Sequence, residues 1–295
     1  MHGRHTTTAV CIVATGLLGI STAEARWVEL AGPDATPQQM AFLRELDKLK
    51  WVDGPTIIAM PGNATLQLPE GYVYLDQKNA RRYLELNENL SDGNEVMIAP
   101  DDLSWTAYLG FLEEGYVKDD EQIDADALLK QLTDGTEAAN EERRSRGWPE
   151  LHVVGWASPP SYNRDTRRLE WATSYESEGS KGVNFFTKIL GRSGHTSVQL
   201  VSGSDELAGS EVALNQVLAG FDYNAGNRYA DFKPGDKVAE YGLAAMVVGG
   251  AAAVAAKKGV LPAIGAFLAA TWKFLLAGAA AGVAGLKSMF NKKQT

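Results

Sequence analysis

The sequence predicts an α+β fold, in which a mostly antiparallel sheet packs against helices and is followed by a C-terminal apolar helical membrane tail. Four strand-like runs with short connections lie between residues 151 and 201, which is typical of an antiparallel meander. Helical patterns at 37–50, 77–88 and 124–146 supply the helices. Residues 238–290 are almost all Ala, Gly, Leu, Val and Phe, which predicts the tail.

Residues 1–25 have the three parts of a secretory signal peptide. A basic start that includes Arg4 precedes an apolar run from Ala9 to Ile20, and Ala23-Glu24-Ala25 closes the segment in the small-x-small pattern of a cleavage site. The apolar run is shorter than the roughly 20 residues that a membrane-spanning helix needs. The segment predicts export, with cleavage after Ala25; an N-terminal membrane helix is the alternative.

The single cysteine of the chain, Cys11, lies inside this predicted signal. Val10 precedes it, whereas a lipoprotein signal has a small residue there, so lipidation is not predicted. Removal of the signal would leave no cysteine. This excludes disulfides, thiolate catalysis and cysteine zinc sites from the exported part.

The predicted helices and early strands follow in order after the signal. Thr36-Pro37 is a favourable helix start, and leucines then repeat every three residues up to Leu49. The alternation at 65–68 predicts a strand, and Val96–Ala99 and Trp105–Leu112 predict two more. The helix at 124–146 begins near Asp124 and ends before Gly147. These elements supply the layers of a single α+β domain over residues 26–237.

The predicted meander comes next. Its four runs are Leu151–Ala157, Arg168–Tyr175, Val183–Leu190 and Thr196–Val201. Turns are expected at Pro159-Pro160, Asn163, Gly179 and Gly191. A helix near 205–219 would cover one face of the sheet.

The tail at 238–290 contains two apolar stretches. Tyr241–Ala256 carries no charge, and Gly259–Gly285 carries one, Lys273. Lys273 would cost about 3 kcal/mol at the centre of a bilayer. Two topologies stay open, a helical hairpin with two crossings and one crossing followed by an interfacial helix; a buried hairpin in the domain is a third interpretation. The predicted location is the inner membrane, with the lipid bilayer as partner and the main domain facing the periplasm.

The net charge of the domain differs from that of the two ends of the chain. Residues 26–237 have a formal charge of about −14, whereas the whole chain has −9. This balance disfavours nucleic acid as a partner. It favours solubility, and it would also suit a basic partner.

Few residues in the domain carry recognisable chemistry. His152 and His195 would need a carboxylate such as Glu170 or Glu176 to hold a metal, but their spacing matches no zinc motif. The acidic run 118–126 is interpreted as the charged start of a helix, not as a calcium loop. No catalytic residue, cofactor or metal is therefore predicted.

Several motifs together resemble a known family. They are Leu68-Pro69-Glu70-Gly71-Tyr72, Gly115-Tyr116-Val117-Lys118-Asp119-Asp120, Arg146-Gly147-Trp148-Pro149, Gly155-Trp156-Ala157-x-Pro159-Pro160-x-Tyr162 and Gly226-Asn227-Arg228-Tyr229-Ala230-Asp231-Phe232. With the alanine-rich tail, they resemble the bacterial DUF2167 family of predicted membrane-anchored proteins. The resemblance implies a signal peptide, an exported domain and a C-terminal anchor in a Gram-negative envelope. It implies no catalytic residues. Arg228 and Tyr229 are expected either to dock on the domain or lipid headgroups, or to form a plain turn.

Three hypotheses of function follow from these observations. The first is a membrane-anchored envelope protein whose domain binds or scaffolds an envelope protein or a small ligand without catalysis. The second is a carboxylate-based envelope hydrolase that uses Glu170 and Glu176 with His152. The third is an oligomeric membrane assembly driven by the tail, so a homo-oligomer also stays open.

Overall fold

The computed structural model describes residues 26–29, 35–87, 91, 93–145 and 149–249. The α-helices in this part of the chain are α1 (Arg26–Glu29), α2 (Pro37–Asp47), α3 (Gln77–Leu86), α4 (Ala125–Ser145), α5 (Leu207–Leu218) and α6 (Leu243–Val247). The strands are β1 (Val52–Asp53), β2 (Thr56–Met60), β3 (Ala64–Leu68), β4 (Tyr72–Leu75), β5 (Val96–Pro100), β6 (Thr106–Leu112), β7 (His152–Asn163), β8 (Arg168–Ser177), β9 (Ser180–Leu190), β10 (His195–Val201) and β11 (Phe221–Tyr223). Short 3-10 turns occur at Ser204–Glu206 and Tyr229–Asp231.

Eight of the strands form one antiparallel sheet, in the order β1-β4-β5-β6-β10-β9-β8-β7. The other three form a smaller antiparallel sheet, in the order β11-β3-β2. Strands β7 to β10 are both consecutive in sequence and adjacent in the sheet. The predicted antiparallel meander is therefore confirmed, as is a mostly antiparallel sheet with packed helices.

One face of the large sheet is covered by a single apolar cluster. The smaller sheet and α5 pack against it, and both contribute fully buried side chains such as Leu66 and Leu214. From the large sheet, Leu109, Phe185 and Val198 point into the same cluster. Burying these side chains is the main favourable term for this half of the domain.

The opposite face carries two separate apolar clusters. Helices α1, α2 and α3 cover the first, where Leu43 and Leu84 pack on Met97 and Tyr108 of the sheet. Helices α4 and α6 and the chain around Val117 cover the second. These buried sheet residues belong to it: Leu169, Trp171 and Leu190. Between the two clusters the same face carries polar residues, among them Lys188 and Ser197.

Helix α2 begins as the sequence predicts. The Thr36 hydroxyl accepts a hydrogen bond from the Gln39 amide, while the Gln39 side chain accepts one from the Thr36 amide. This capping box satisfies two of the backbone donors that a helix start otherwise leaves open. Pro37 occupies the first turn, where its missing N–H costs nothing.

The turn predicted at Pro159-Pro160 is wrong. Strand β7 runs through both prolines, and the turn to β8 follows Asn163. The pairing of β7 with β8 shifts register on either side of Ser158. Proline has no N–H to donate to a ladder, so a strand tolerates it only at an edge or an irregularity. Strand β7 meets both conditions. It is the last strand of the sheet, and its pairing with β8 is irregular around Ser158.

The residues after β11, 224–249, form a closing segment that lies across the second cluster. The Tyr229 hydroxyl donates to the Val117 carbonyl at 2.9 Å and is buried there. The Tyr229 ring stacks on Tyr116 at 4.4 Å between centroids, and Phe232 covers the other side of Tyr116 at 4.2 Å. The expectation that Tyr229 docks on the domain is confirmed. Arg228 also contacts the domain, because it pairs with Asp222 of β11 and forms a backbone bridge with Gly191.

An ion pair holds the closing segment to the β9–β10 turn. The Arg192 guanidinium donates from Nε and from an Nη to the two carboxylate oxygens of Asp236, at 2.7 Å each. Its other Nη donates to the Gly226 carbonyl at 3.0 Å. Two parallel bonds fix geometry better than one bond between the same charges does.

The predicted C-terminal apolar helical membrane tail requires correction. The expected first span, Tyr241–Ala256, is not one helix, because α6 ends at Val247 and Gly249 takes a φ of +113°. Leu243 and Met246 are buried in the second cluster, and the Glu121 carboxylate accepts a hydrogen bond from the Ala244 amide at 3.0 Å. Within the described ranges no helix is long and apolar enough to cross a membrane.

Two other predictions fall outside the described residues. The predicted signal occupies residues 1–25, and the part of the predicted tail beyond 249 is also not described. The predicted location at the inner membrane, with the domain in the periplasm, stays a prediction.

Substitution of Met246 tests whether α6 is part of the domain core. Met246→Ala removes a side chain that is 4% exposed, so we expect a loss of about 2–5 kcal/mol in the free energy of unfolding. Val212→Ala on α5 is the control, because Val212 is 60% exposed and the expected change is within about 0.5 kcal/mol. Urea denaturation of both variants measures the difference. Equal, small effects would show that α6 contributes nothing to the core.

Acid titration tests the Arg192–Asp236 pair. The hydrogen bonds from Arg192 lower the pKa of Asp236 from 3.8 to about 2. A lowered folded-state pKa contributes stability that is present above the unfolded pKa and is lost as the pH falls through the folded one. The Tm of Asp236→Asn should therefore lie below that of the wild type at neutral pH, and the gap should close between pH 4 and 2. Asp101→Asn, at an exposed turn, is the control; a gap that persists at pH 2 would contradict the assignment.

Candidate functional site

The carboxylates proposed from the sequence do not converge. Glu170 and Glu176 lie six residues apart on the extended strand β8, which separates them by about 20 Å. Paired carboxylates in acid–base catalysis lie about 5–10 Å apart. His152 lies opposite Glu176 in the ladder, but it is exposed. The set required for the carboxylate-based hydrolase is therefore not assembled.

His152 belongs to a surface ion-pair network. Its Nδ1 lies 2.8 Å from Oε1 of Glu137 on α4, and its Nε2 lies 3.7 Å from the Glu150 carboxylate. The hydrogen bond that Nδ1 of His152 donates to the Glu137 carboxylate is the main cause that raises the pKa of His152. Such exposed pairs add little stability and no obvious chemistry.

The two histidines cannot share a metal. His152 is on β7 and His195 is on β10, and two strands separate them in the sheet. Neighbouring strands lie about 4.8 Å apart, so the separation is about 14 Å. No group of three or more metal-ligating side chains comes together among the described residues.

The acidic run at 118–126 has structural partners. The Asp119 carboxylate accepts hydrogen bonds from Tyr162 and Arg167, at 3.0 and 2.5 Å. Asp124 caps α4, because its side chain accepts from the Ala127 amide at 3.0 Å. The interpretation of Asp124 as part of a charged helix start is confirmed.

A different group of polar residues lies between the two apolar clusters of the second sheet face. Lys188 on β9 faces Ser197 on β10, and Ser197 in turn faces Gly110 on β6. Side chains alternate between the two faces of a strand, so Lys188 shares the face of Trp171 and not that of Val198. His195 precedes Ser197 by two positions and lies on the same face. We call Glu114, Lys188, His195 and Ser197 the lysine cluster.

The lysine cluster is partly open to solvent. Lys188, Ser197 and Glu114 are half-buried, whereas His195 is only 3% exposed. The Lys188 ammonium donates a hydrogen bond to the Ser197 hydroxyl at 2.5 Å and lies 5.8 Å from the centre of the Trp171 ring. Trp171 is held by a stacked Phe186 at 5.3 Å. The cluster therefore has a polar floor and an aromatic wall.

The surroundings shift the pKa of each ionisable group in the cluster. Burial lowers the pKa of Lys188 to about 8, against the opposing effect of the Glu114 carboxylate. Burial, helped by the Lys188 charge, lowers the pKa of His195 well below 6.5, so the imidazole is neutral at pH 7. Burial also raises the pKa of Glu114, while Lys188 and Lys237 act in the opposite direction. Perturbed groups that lie together in this way are typical of functional sites.

Two buried atoms of the cluster have no hydrogen-bond partner. They are Oε2 of Glu114 and Nδ1 of His195, and they lie 3.9 Å apart. That separation is too long for a direct hydrogen bond. A buried polar atom without a partner costs about 1–3 kcal/mol, so native proteins leave few of them.

Sequence reasoning missed Lys188, although a signal for it was present. In the run Phe186-Thr187-Lys188-Ile189-Leu190, alternation places Lys188 on the same face as Phe186 and Leu190. A charge at an inward position of an apolar strand marks a polar site in the interior. Its partners are not predictable, because Glu114 lies 74 positions earlier in the chain and the β9–β10 register is not readable from sequence.

The chain resembles known proteins to different extents in sequence and in fold. No curated protein sequence matches the chain significantly. Among solved structures, the chain is similar to the solution structure of cyanobacterial PsbP (CyanoP) from Synechocystis sp. PCC 6803, with 12% sequence identity and a TM-score of 0.33. That alignment covers 60% of this chain and 92% of the other, and at this TM-score it carries no conclusion. The sequence profile of the DUF2167 family, described as a protein of unknown function, matches residues 52–280. Since the match covers most of the chain, the protein belongs to the DUF2167 family.

Proposed function

We propose that the domain is a binding module of the cell envelope that holds a small polar ligand in the lysine cluster without transforming it. The observation that carries this proposal is the pair of unpartnered buried atoms on Glu114 and His195 beside a half-buried ammonium. The cluster combines an ammonium, a carboxylate, an imidazole and a hydroxyl, and Lys188 and Ser197 are half-buried. A ligand would complete their hydrogen bonding.

The free-energy cost of burying the Lys188 ammonium supports a binding role. Its ammonium lies between two apolar clusters and has the Ser197 hydroxyl as its hydrogen-bond acceptor. Desolvation penalises the charged form, which is why the pKa of Lys188 is lowered. A methionine has nearly the same length and would fill the space with apolar atoms. Proteins keep groups that reduce stability chiefly where function requires them.

The surroundings of Ser197 argue against covalent catalysis. A hydroxyl next to a lysine of lowered pKa could act as a nucleophile, and the contact of 2.5 Å meets the distance requirement. An acyl-transfer site also needs free donors for the developing oxyanion. Ser197 lies in the middle of β10, which pairs with β6 on one side and β9 on the other, so the backbone N–H groups around it serve the ladders. Binding therefore fits this position better than acyl transfer does.

The envelope location rests on the sequence of residues 1–25 and on the position of Cys11 within them. An exported domain without cysteine needs its core alone for stability, and the three apolar clusters supply one. The formal charge of about −14 over residues 26–237 favours a basic envelope protein as an additional partner. A fusion of residues 1–25 to alkaline phosphatase, which is active only after export, tests the location; an inactive fusion would contradict it.

Replacement of Lys188 tests the binding role before any ligand is known. Lys188→Met should raise Tm by a few degrees, at about 2–4 °C for each kcal/mol recovered, because it removes a charge from an apolar setting. Lys237 still offers a cation to Glu114 in this variant. Lys181→Met is the control, since Lys181 is exposed on the same strand and its replacement should change Tm little. Thermal melts of the full chain and both variants measure this.

The pH dependence of Tm, compared between the wild type and Lys188→Met, makes the test more specific. Below about pH 8 Lys188 is charged in both the folded and unfolded states, and only the folded state carries the cost of burial. Between pH 8 and 10.5 the unfolded state binds more protons, so the stability of the wild type rises with pH. The advantage of Lys188→Met should therefore be greatest below pH 8 and should narrow above it. A Lys188→Met variant that melts below the wild type would show a structural lysine and overturn the proposal.

A further inference from the structure

We infer that strand β2 pairs with β2 of a second copy of this chain, in an antiparallel ladder whose two-fold axis passes through Ile58. The smaller sheet has the order β11-β3-β2, so β2 is one of its edges. The inference concerns this edge and is independent of the lysine cluster. It follows from which backbone groups of β2 are free and from where prolines flank the strand.

The hydrogen bonds of β3 show which backbone groups of β2 are already used. The Gln67 amide donates to the Gly220 carbonyl at 2.9 Å, on the β11 side of β3. In an antiparallel ladder a residue directs its N–H and C=O to the same neighbouring strand, and this direction alternates along the chain. Leu66 therefore bonds to β2, where it lies opposite Ile58. Ile58 and every second residue from it are thus engaged with β3.

The residues on either side of Ile58 have free backbone groups. Ile57 and Ala59 direct their N–H and C=O groups away from β3. None of the hydrogen bonds that link loops and turns in the described part of the chain engages these groups. Ile57 is 70% exposed, and Ala59 is exposed as well. The edge therefore offers two donors and two acceptors to a further strand.

Two prolines flank these groups symmetrically. Pro55 and Pro61 each lie three positions from Ile58, at the next places in the same alternation as Ile57 and Ala59. Proline has no N–H, so neither position adds a free donor to the edge. A two-fold axis through Ile58 places Ile57 opposite Ala59 of the second copy, and two such pairs with two bonds each give four hydrogen bonds. Every free N–H and C=O of the two residues is then satisfied, and the ladder ends where Pro55 faces Pro61.

The side chains of β2 suit the same arrangement. Ile57 and Ala59 lie on the outer face of the smaller sheet, whereas Ile58 and Met60 are buried in the apolar cluster beneath it. In the paired strands Ile57 lies diagonal to Ile57 of the second copy, within reach of an aliphatic side chain. Pairing therefore removes apolar surface from water that is exposed in the single chain.

The other sheet edges of the described residues are protected against such pairing. β7 shifts register along its ladder with β8 and contains Pro159 and Pro160. β1 has two residues, and β11 carries Asp222, which pairs with Arg228. Bulges, prolines, charges and very short length all keep edge strands from pairing. Thr56–Met60 carries no charge, bulge or proline and pairs with β3 along all five residues.

The charge of the domain sets the strength of the association. Residues 26–237 carry about −14, so two domains repel each other, but the uncharged strand adds nothing to that repulsion. Five residues from each copy bury less than the ~1,200 Å² of a stable interface. The dimer is therefore weak, and its affinity rises with ionic strength because salt screens the repulsion.

Cysteine substitution tests both the contact and its register. Ile58→Cys in a Cys11→Ser background places two cysteines opposite each other on the axis, at the separation of about 4.5–5.5 Å between Cα atoms that a disulfide accepts. Oxidation of this full chain should give a covalent dimer. Met60→Cys in the same background is the matched control. Met60 is buried on the same face, 6% exposed against 8% for Ile58, but the two copies of residue 60 lie about 14 Å apart.

Sedimentation equilibrium of the full chain measures the association itself. We expect a monomer–dimer equilibrium with a Kd between about 1 μM and 1 mM that tightens as NaCl is raised. Ala59→Pro removes an outward N–H, leaves the bonds to β3 intact and should weaken association at least about tenfold. Ile57→Lys places like charges across the axis and should act in the same direction. Val154→Lys on β7, at a position that is 59% exposed, is the control and should change nothing.

Three results overturn the inference. A full chain that stays monomeric at about 1 mM has no such contact. Association that survives both Ala59→Pro and Ile57→Lys arises from another surface. Equal yields of covalent dimer from Ile58→Cys and Met60→Cys, including none from either, reject the two-fold register. The Tm of each variant is measured as well, and if Ala59→Pro does not fold, Ile57→Lys at its exposed position carries the test.

Discussion

The register of β6, β10, β9 and β8 is the constraint on which the rest of the structure depends. Because side chains alternate along a strand, this register decides which residues share a face. It places Leu109, Val198 and Phe185 on the face that the smaller sheet covers. It equally places Lys188 and Ser197 on the other face, beside each other. A slip of one residue would bury the Lys188 ammonium in the largest apolar cluster, so hydrophobic burial on one face fixes the polar site on the other.

The second face is closed by parts of the chain that are far apart in sequence. Tyr116 and Val117 follow β6, yet they pack with Tyr229 and with α6 from the end of the described chain. The closing segment therefore completes a cluster that β8 and β9 leave open. Leu243 and Met246 are apolar, as the residues of a membrane helix are. In this structure they are removed from water by burial in the domain. Hydrophobicity alone does not distinguish between these two environments, which is why residues 243–247 were wrongly predicted to belong to a membrane tail.

Local patterns predicted most of the fold. The capping box at Thr36 and the alternation in β8 to β10 act within a few residues, so they can be read directly from the sequence. Pro159 and Pro160 were misplaced because tolerance of proline depends on being at the edge of the sheet, which is a tertiary property. The catalytic set suggested by the sequence, Glu170 and Glu176 with His152, was wrong for the same reason. Glu170 and Glu176 carry suitable chemistry, but the extended strand holds them apart, and no local pattern brings Glu114 to Lys188.

The contrast between the polar groups of this domain separates structural from functional roles. His152 and Glu137, or Arg192 and Asp236, satisfy each other at the surface and need nothing further. The lysine cluster differs, because its Lys188 charge is penalised by burial while two of its buried polar atoms have no hydrogen-bond partner. Folding alone gains nothing from that arrangement, since apolar side chains of similar size would pack between the two clusters more favourably. The proposed binding role therefore explains the cluster better than a contribution to the stability of the sheet does.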